Sequence, residues 1–243
     1  MEFTYAAYRN LIAILKQNEY HFCGYFDHAD KDKSVIMRHD IDYCLERSAQ
    51  LARIEHEEDI RSTYFILLKT DFYNPASKRA NDCIREIKDL GHEIGLHFDE
   101  TVYAGCNTEK LPEMIQREAD ILADICEFPI RCFSMHRPNQ VTIEKSLEVP
   151  GLVNAYGQKF FHEFKYLSDS RKNWREPVEE IICSGTYDRL HILTHAFWYS
   201  EKEDTIADSV KNYILAAKMD RYAHFSENIR CLEEIVPFSS IAE

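Results

Sequence analysis

Glycine and proline are scarce in this chain, seven of each in 243 residues, and no repeat or biased tract is present. That scarcity excludes solenoids and disordered segments. There is no basic patch. Against 29 Lys and Arg stand 42 Asp and Glu, a net charge of −13, and binding a phosphate backbone needs clustered cations, so nucleic acid is excluded as a partner. No apolar run approaches the length of about 20 residues needed to cross a bilayer, so no transmembrane segment is expected. Met1-Glu2-Phe3-Thr4-Tyr5 lacks a basic stretch followed by an apolar one, and no secretory signal is visible. Eight cysteines are scattered without a CxxC pair or zinc-ribbon spacing, which argues against a disulfide framework and a structural zinc site. The expectation is a soluble cytoplasmic protein with reduced thiols. What is present is a 45% hydrophobic content, enough for one large domain of barrel size.

Strand and helix patterns alternate along the chain. Tyr8, Leu11, Ile12 and Leu15 give residues 4–17 a helical stripe, and an irregular piece follows around 27–33. Strands are predicted at 34–39, 62–68, 92–97, 132–136, 152–155, 164–167 and 190–195. Helices are predicted at 44–57, 76–90 (closed by Gly91), 111–126, 142–147, 177–183, about 203–221 and 226–234. Such alternation demands right-handed crossovers and a parallel sheet, open or closed. The fold class expected is α/β, a distorted, seven-stranded (β/α) barrel over 34–243. Residues 1–33 are expected as an N-terminal helical extension whose stripe packs under the barrel.

Polar residues fall in register at the strand ends. Met37-Arg38-His39-Asp40-Ile41-Asp42 closes the first strand, and its two aspartates, two apart, project to one side. Paired like charges are costly without a cation, an arginine or a proton. His97, His136 with Arg137, Asp169 and His195 each follow a different strand at its carboxyl end. In a parallel barrel those ends converge on one mouth. Plainer roles compete: Asp42 as a cap for the helix at 44–57, His97 as a satisfied strand-end histidine, and His195 as part of a packing unit with Phe197-Trp198-Tyr199. His92 starts its strand at the opposite end and reads as structural, and His39 alternates to the other side. The set offers carboxylate and imidazole ligands for zinc or another divalent ion. It leaves over a carboxylate, an arginine and a histidine, as amide or ester hydrolysis requires.

These motifs resemble the polysaccharide deacetylases, the NodB-homology domain of carbohydrate esterase family four, over about residues 34–200. Arg38-His39-Asp40-Ile41-Asp42 is similar to the first motif, and Gly91-His92-Glu93-Ile94-Gly95-Leu96-His97 to the GHEIGNH run. His136-Arg137-Pro138 resembles the third, Asp169 through Trp174 the fourth and Leu193-Thr194-His195 the fifth. Ser62-Thr63-Tyr64-Phe65 and Gly95-Leu96-His97-Phe98-Asp99 are similar to phrases of the WbmS-like branch, associated with lipopolysaccharide O-antigen biosynthesis. The resemblance implies Asp40 as base, Arg137 as its orienter, His195 as general acid tuned by Asp169, and Asp42 and His97 as metal ligands. Thr101 stands where the family has its second histidine. His136 is the favoured replacement, with Asp99 or Glu100 as alternatives. The implied cofactor is a divalent metal, zinc first and cobalt or nickel as alternatives. The implied reaction is deacetylation of an N-acetylated sugar, carried on a nucleotide or a lipid. Tyr43, Phe98, Trp198 and Tyr199 are candidates for stacking on a sugar ring. Two other readings stay open: hydrolysis of another non-peptide C–N bond, and an inactive barrel that binds a glycan precursor or a partner.

Overall fold

Apolar strands separated by amphipathic helices can bury both faces of a parallel sheet, and this chain does so. The computed structural model describes residues 1–28, 32–103, 105 and 107–242; Cys106 and part of the irregular piece at 27–33 lie outside them. The chain divides into two compact units, Met1–Lys202 and Glu203–Glu243. In the first, the strands are β1 (His21–Cys23), β2 (Ser34–Ile41), β3 (Thr63–Leu67), β4 (Glu93–Asp99), β5 (Cys132–His136), β6 (Val153–Asn154), β7 (Lys165–Ser168) and β8 (Arg189–Thr194). The helices are α1 (Tyr5–Gln17), α2 (Leu45–Glu57), α3 (Lys78–Asp89), α4 (Leu111–Cys126), α5 (Gln140–Lys145), α6 (Gln158–His162) and α7 (Val178–Ser184).

The sheet order is β6-β5-β4-β3-β2-β8-β7, with β1 beside the start of β2, and every pairing between these strands is parallel. The seven strands of that path curl into a distorted (β/α) barrel. Where the path ends, α6 sets Phe160 against Tyr25 and His191 in the interior.

Strand alternation sorts the side chains. Ile36, Phe65 and Cys132 turn inward with Tyr25, Phe160 and Phe164. Ile41, Tyr64, Ile66, Leu96, Phe98 and Phe133 turn outward onto α2, α3 and α4. Gly95 sits against the Phe65 ring and Cys132 in the interior. A Cβ there would meet the Phe65 ring at 2.5 Å and Cys132 Sγ at 2.8 Å, so no larger residue fits without displacement.

On the outer face a single carboxylate gathers four elements. Buried Glu55 of α2 accepts from Tyr8 Oη at 2.6 Å and Tyr64 Oη at 2.7 Å, and lies 2.8 Å from His39 Nε2. A buried carboxylate with several hydrogen-bond partners escapes the penalty of an unpaired charge. Tyr8, Leu11, Ile12 and Leu15 are the buried stripe of α1. Tyr8's contact with Glu55 sets that helix against the outer face beside α2, rather than under the barrel.

Several boundaries differ from expectation for local reasons. β1 is a three-residue strand, too short to show a period. In the second unit the first predicted helix runs on as α8 (Ile206–Asn228), the second is reduced to α9 (Leu232–Ile235), and α10 (Ser239–Ala242) follows. Thr205 starts α8 by accepting from the Asp208 amide at 3.1 Å. Cys44, Cys83, Cys126, Cys132, Cys183 and Cys231 are free thiols. Among the described residues, no helix is long and apolar enough to cross a membrane.

Candidate active site

Arg38, Asp40 and Asp42 share one parity along and just past β2, so all three project into the barrel mouth, while His39 turns outward to Glu55. Asp42 does not cap α2: the residue at the helix start is Cys44 and its side chain makes no capping bond. Instead Asp42 meets His97 from β4 and His136 from β5. His97 Nε2 lies 3.1 Å from His136 Nδ1, His136 Nδ1 lies 3.2 Å from Asp42 Oδ1, and His97 Nε2 lies 3.4 Å from Asp42 Oδ1.

This triangle fits a metal ion. Ligand atoms about 2.0–2.1 Å from a tetrahedral zinc stand about 3.3 Å from one another, which is close to the three separations seen. Asp42 Oδ1 is buried and no hydrogen bond satisfies it, as expected of an atom reserved for a cation. Asp42, His97 and His136 form the candidate metal site. Burial would raise the Asp42 carboxyl, but His136 and His97 hold it well below the usual carboxylate range.

The other third-ligand candidates are engaged elsewhere. Thr101 donates to Asp99 Oδ1 through its amide at 2.9 Å and its hydroxyl at 2.7 Å. Glu100 accepts from the Thr142 hydroxyl at 2.6 Å and from the Asn139 amide.

Asp40 lies against the triangle, its Oδ2 3.7 Å from His97 Nε2. Its guanidinium partner is Arg38, not the expected Arg137. Arg38 Nε donates to Oδ1 at 2.9 Å and Nη2 to Oδ2 at 2.7 Å, a bidentate pair with both side chains buried. Burial opposes ionisation of Asp40, but the Arg38 charge prevails and holds its carboxyl at about 2. Arg137 follows His136 with φ 50° and is exposed. Arg38 carried the signal that would have identified it, sitting two residues before Asp40 and therefore on its side of the strand.

From β7 and from β8, the latter paired with β2, come Asp169 and His195. Asp169, past the end of β7, is fully buried. Its Oδ1 lies 2.6 Å from His195 Nδ1 and its Oδ2 accepts the His195 amide at 3.0 Å. The imidazole is thereby turned so that Nε2 faces the triangle, 3.9 Å from Asp42 Oδ2. Burial works against a charged imidazole, yet the Asp169 carboxylate lifts His195 to about 9.

The aromatic candidates divide. Phe98 and Tyr199 are fully buried core residues, Phe98 stacked on Tyr103 and Tyr199 packed on Phe3 and Tyr8. Tyr43 sits half-buried at the mouth against Phe72, Phe197 and Trp198.

No protein-family model matches the sequence, and no curated protein matches it. Solved structures do match. One is a CE4 family pseudoenzyme from Bacillus anthracis, 14% identical, with a TM-score of 0.44, over 79% of this chain and 63% of that one. Another is a family 4 carbohydrate esterase from Streptomyces lividans in complex with acetate, 14% identical, with a TM-score of 0.47, over 68% of this chain and 80% of that one. A third is a family 4 acetyl xylan esterase from Clostridium thermocellum in complex with a cobalt ion, 12% identical, with a TM-score of 0.44, over 76% of this chain and 84% of that one. The chain spans 63–65% of the length of the pseudoenzyme chains it matches. The structural neighbours are thus CE4 family carbohydrate esterases and a pseudoenzyme of that family. The chain itself is an α/β barrel with a candidate Asp-His-His metal centre at its mouth.

Proposed function

We propose that this protein is a metal-dependent hydrolase of the polysaccharide deacetylase family that removes the acetyl group from an N-acetylated sugar. One observation carries the reading: the triangle of Asp42, His97 and His136 lies 3.7 Å from an arginine-held carboxylate, Asp40, and 3.9 Å from a carboxylate-held imidazole, His195. Asp42, His97 and His136 would hold the metal, with zinc the first choice for such a donor set. When bound, the metal polarises the substrate carbonyl and lowers the pKa of water.

The remaining chemistry belongs to the chain. Asp40, ionised by Arg38, takes a proton from the attacking water. Both its oxygens accept from Arg38, and Oδ2 is the proton acceptor because it is the one that faces the triangle, 3.7 Å from His97 Nε2. His195, charged by Asp169, gives a proton from Nε2 to the leaving nitrogen. Base and acid come from the paired strands β2 and β8 and meet the triangle at different members, Asp40 Oδ2 at His97 and His195 Nε2 at Asp42.

The substrate class is argued from the motif resemblance and from one aromatic residue at the mouth. Tyr43 offers a half-open aromatic surface for a sugar ring, and the phrases shared with the WbmS-like branch point to a sugar nucleotide or lipid-linked precursor of surface polysaccharide. An inactive barrel is favoured only by Thr101 in place of the family's second histidine. His136 answers that departure by supplying an imidazole from the neighbouring strand.

The test is to load the purified protein with zinc, cobalt or nickel, measure bound metal, and assay acetate release from UDP-N-acetylglucosamine and a lipid-linked N-acetyl sugar. Stoichiometric metal with acetate release supports the reading. Failure to retain any of the three metals would overturn it, and metal binding without acetate release would overturn the substrate.

A further inference from the structure

Ser134 lies on β5 two residues before His136, so it shares that residue's inward face, and it is fully buried. Its Oγ is 2.6 Å from His97 Nδ1 and 3.4 Å from Asp40 Oδ1. One hydroxyl therefore stands between a candidate metal ligand and the candidate base.

The proton count restricts how this arrangement works. A serine hydroxyl has one proton to donate and lone pairs to accept with, and an ionised carboxylate only accepts. If the hydroxyl proton turns to Asp40 Oδ1, Oγ presents a lone pair to His97, and Nδ1 must be the protonated nitrogen. If the hydroxyl proton turns to Nδ1 instead, the neutral imidazole carries its own proton on Nε2. That proton would point into the triangle, at His136 Nδ1 and Asp42 Oδ1, where a cation has to bind. Asp40 is held as a carboxylate by Arg38, so it attracts the serine proton and favours the first arrangement.

We propose that Ser134 is a positioning residue that keeps the His97 proton on Nδ1, and so keeps the Nε2 lone pair facing Asp42 and His136. The proposal rests on the metal-centre reading of the triangle. It adds that the base and the ligand are joined: Asp40, through Ser134, sets the tautomer of the imidazole that would hold the metal. Groups that hydrogen-bond the far nitrogen of a ligating histidine act in this way, and their loss typically weakens metal binding about 10–100-fold.

The experiment uses the full chain as Ser134→Ala and Ser134→Thr. The His97 tautomer is read in the metal-free protein from long-range 15N–1H correlations, and zinc affinity from competition with a chromophoric chelator. The parent is expected to be protonated on Nδ1, and Ser134→Ala to move the proton largely to Nε2. Zinc binding should weaken about 10–100-fold in Ser134→Ala and stay within about threefold of the parent in Ser134→Thr, which restores the hydroxyl. If Ser134→Thr does not fold, the tautomer and affinity of Ser134→Ala decide alone. A folded Ser134→Ala with the parent's tautomer and zinc affinity overturns the proposal and leaves the metal centre standing. A tautomer switch in a protein that binds no zinc supports the positioning role and overturns the metal reading.

Discussion

Arg38 grips Asp40 with two parallel hydrogen bonds, Nε to Oδ1 at 2.9 Å and Nη2 to Oδ2 at 2.7 Å. The two residues are neighbours on the inner face of one strand, so the candidate base and its counter-charge arrive together when β2 forms. Arg38 further lies over the Tyr156 ring, 4.6 Å from its centroid, and is thereby fixed from both sides. Removing the guanidinium leaves a buried carboxylate unpaired. Arg38→Leu is expected to cost about 3–5 kcal/mol of stability, while exposed Arg137→Ala stays within about 0.5 kcal/mol. Urea unfolding of the two variants decides; equal losses would contradict the assignment.

The third ligand can be tested by metal affinity alone. His136→Ala should weaken zinc binding by more than about 100-fold, beyond the range of outer-shell changes, whereas Asp99→Ala should alter it by less than about threefold. Asp99 instead receives Thr101. The reverse order would move the third ligand to Asp99.

Asp169→Asn keeps the shape of the His195 partner but removes its charge. The imidazole then loses the charge that lifts it, and the one remaining amide oxygen can accept from only one of the two donors, His195 Nδ1 or the His195 amide. Acetate release should fall about 10²- to 10⁴-fold, the usual contribution of a positioned general acid. Bound metal, measured by elemental analysis, should be unchanged. Loss of metal from this variant would instead make Asp169 part of the metal centre.

Glu55 predicts an acid limit that has nothing to do with catalysis. Burial works against its charge, but His39 first and then His92 hold its carboxyl at about 2, against an ordinary 4.5. Tyr8, Ser62 and Tyr64 face the same carboxylate. A group held below its unfolded value stabilises fully above that value and loses its contribution as the pH falls through the folded one. Stability on the order of 3 kcal/mol should therefore disappear between about pH 4.5 and pH 2. Glu55→Gln should flatten that stretch of a stability–pH curve measured by urea unfolding. An unchanged slope would refute the role.

Gly95→Ala tests the packing that closes the interior. Its Cβ would overlap the Phe65 ring and Cys132 Sγ. The expected cost is about 1–3 kcal/mol, as for other overpacked sites, read as a lower melting temperature. An unchanged melting temperature would mean that Phe65 can move aside.

Much of this site was legible in the chain because strand alternation is a local rule. Asp40 and Asp42 two apart, His39 between them facing away, and polar residues closing several apolar runs are all visible without coordinates. The same rule contained Arg38 and Ser134, each two residues from a site residue, yet the motif resemblance drew attention to Arg137. What alternation cannot supply is distance across the barrel. That His97, His136 and Asp42 close a triangle of 3.1–3.4 Å, that Asp169 reaches His195, and that Arg38 occupies the place expected for Arg137 depend on how neighbouring strands are staggered. Register such as Asp99 opposite His136 is set by packing of residues far apart in the chain. Likewise β1 exists only because β2 is there to pair with it, for three residues carry no signal of their own. The sequence by itself determined which residue types meet at the mouth and which side of each strand they take. Tertiary structure decided which of them touch, because contact across a barrel is a property of the closed sheet and not of any strand within it.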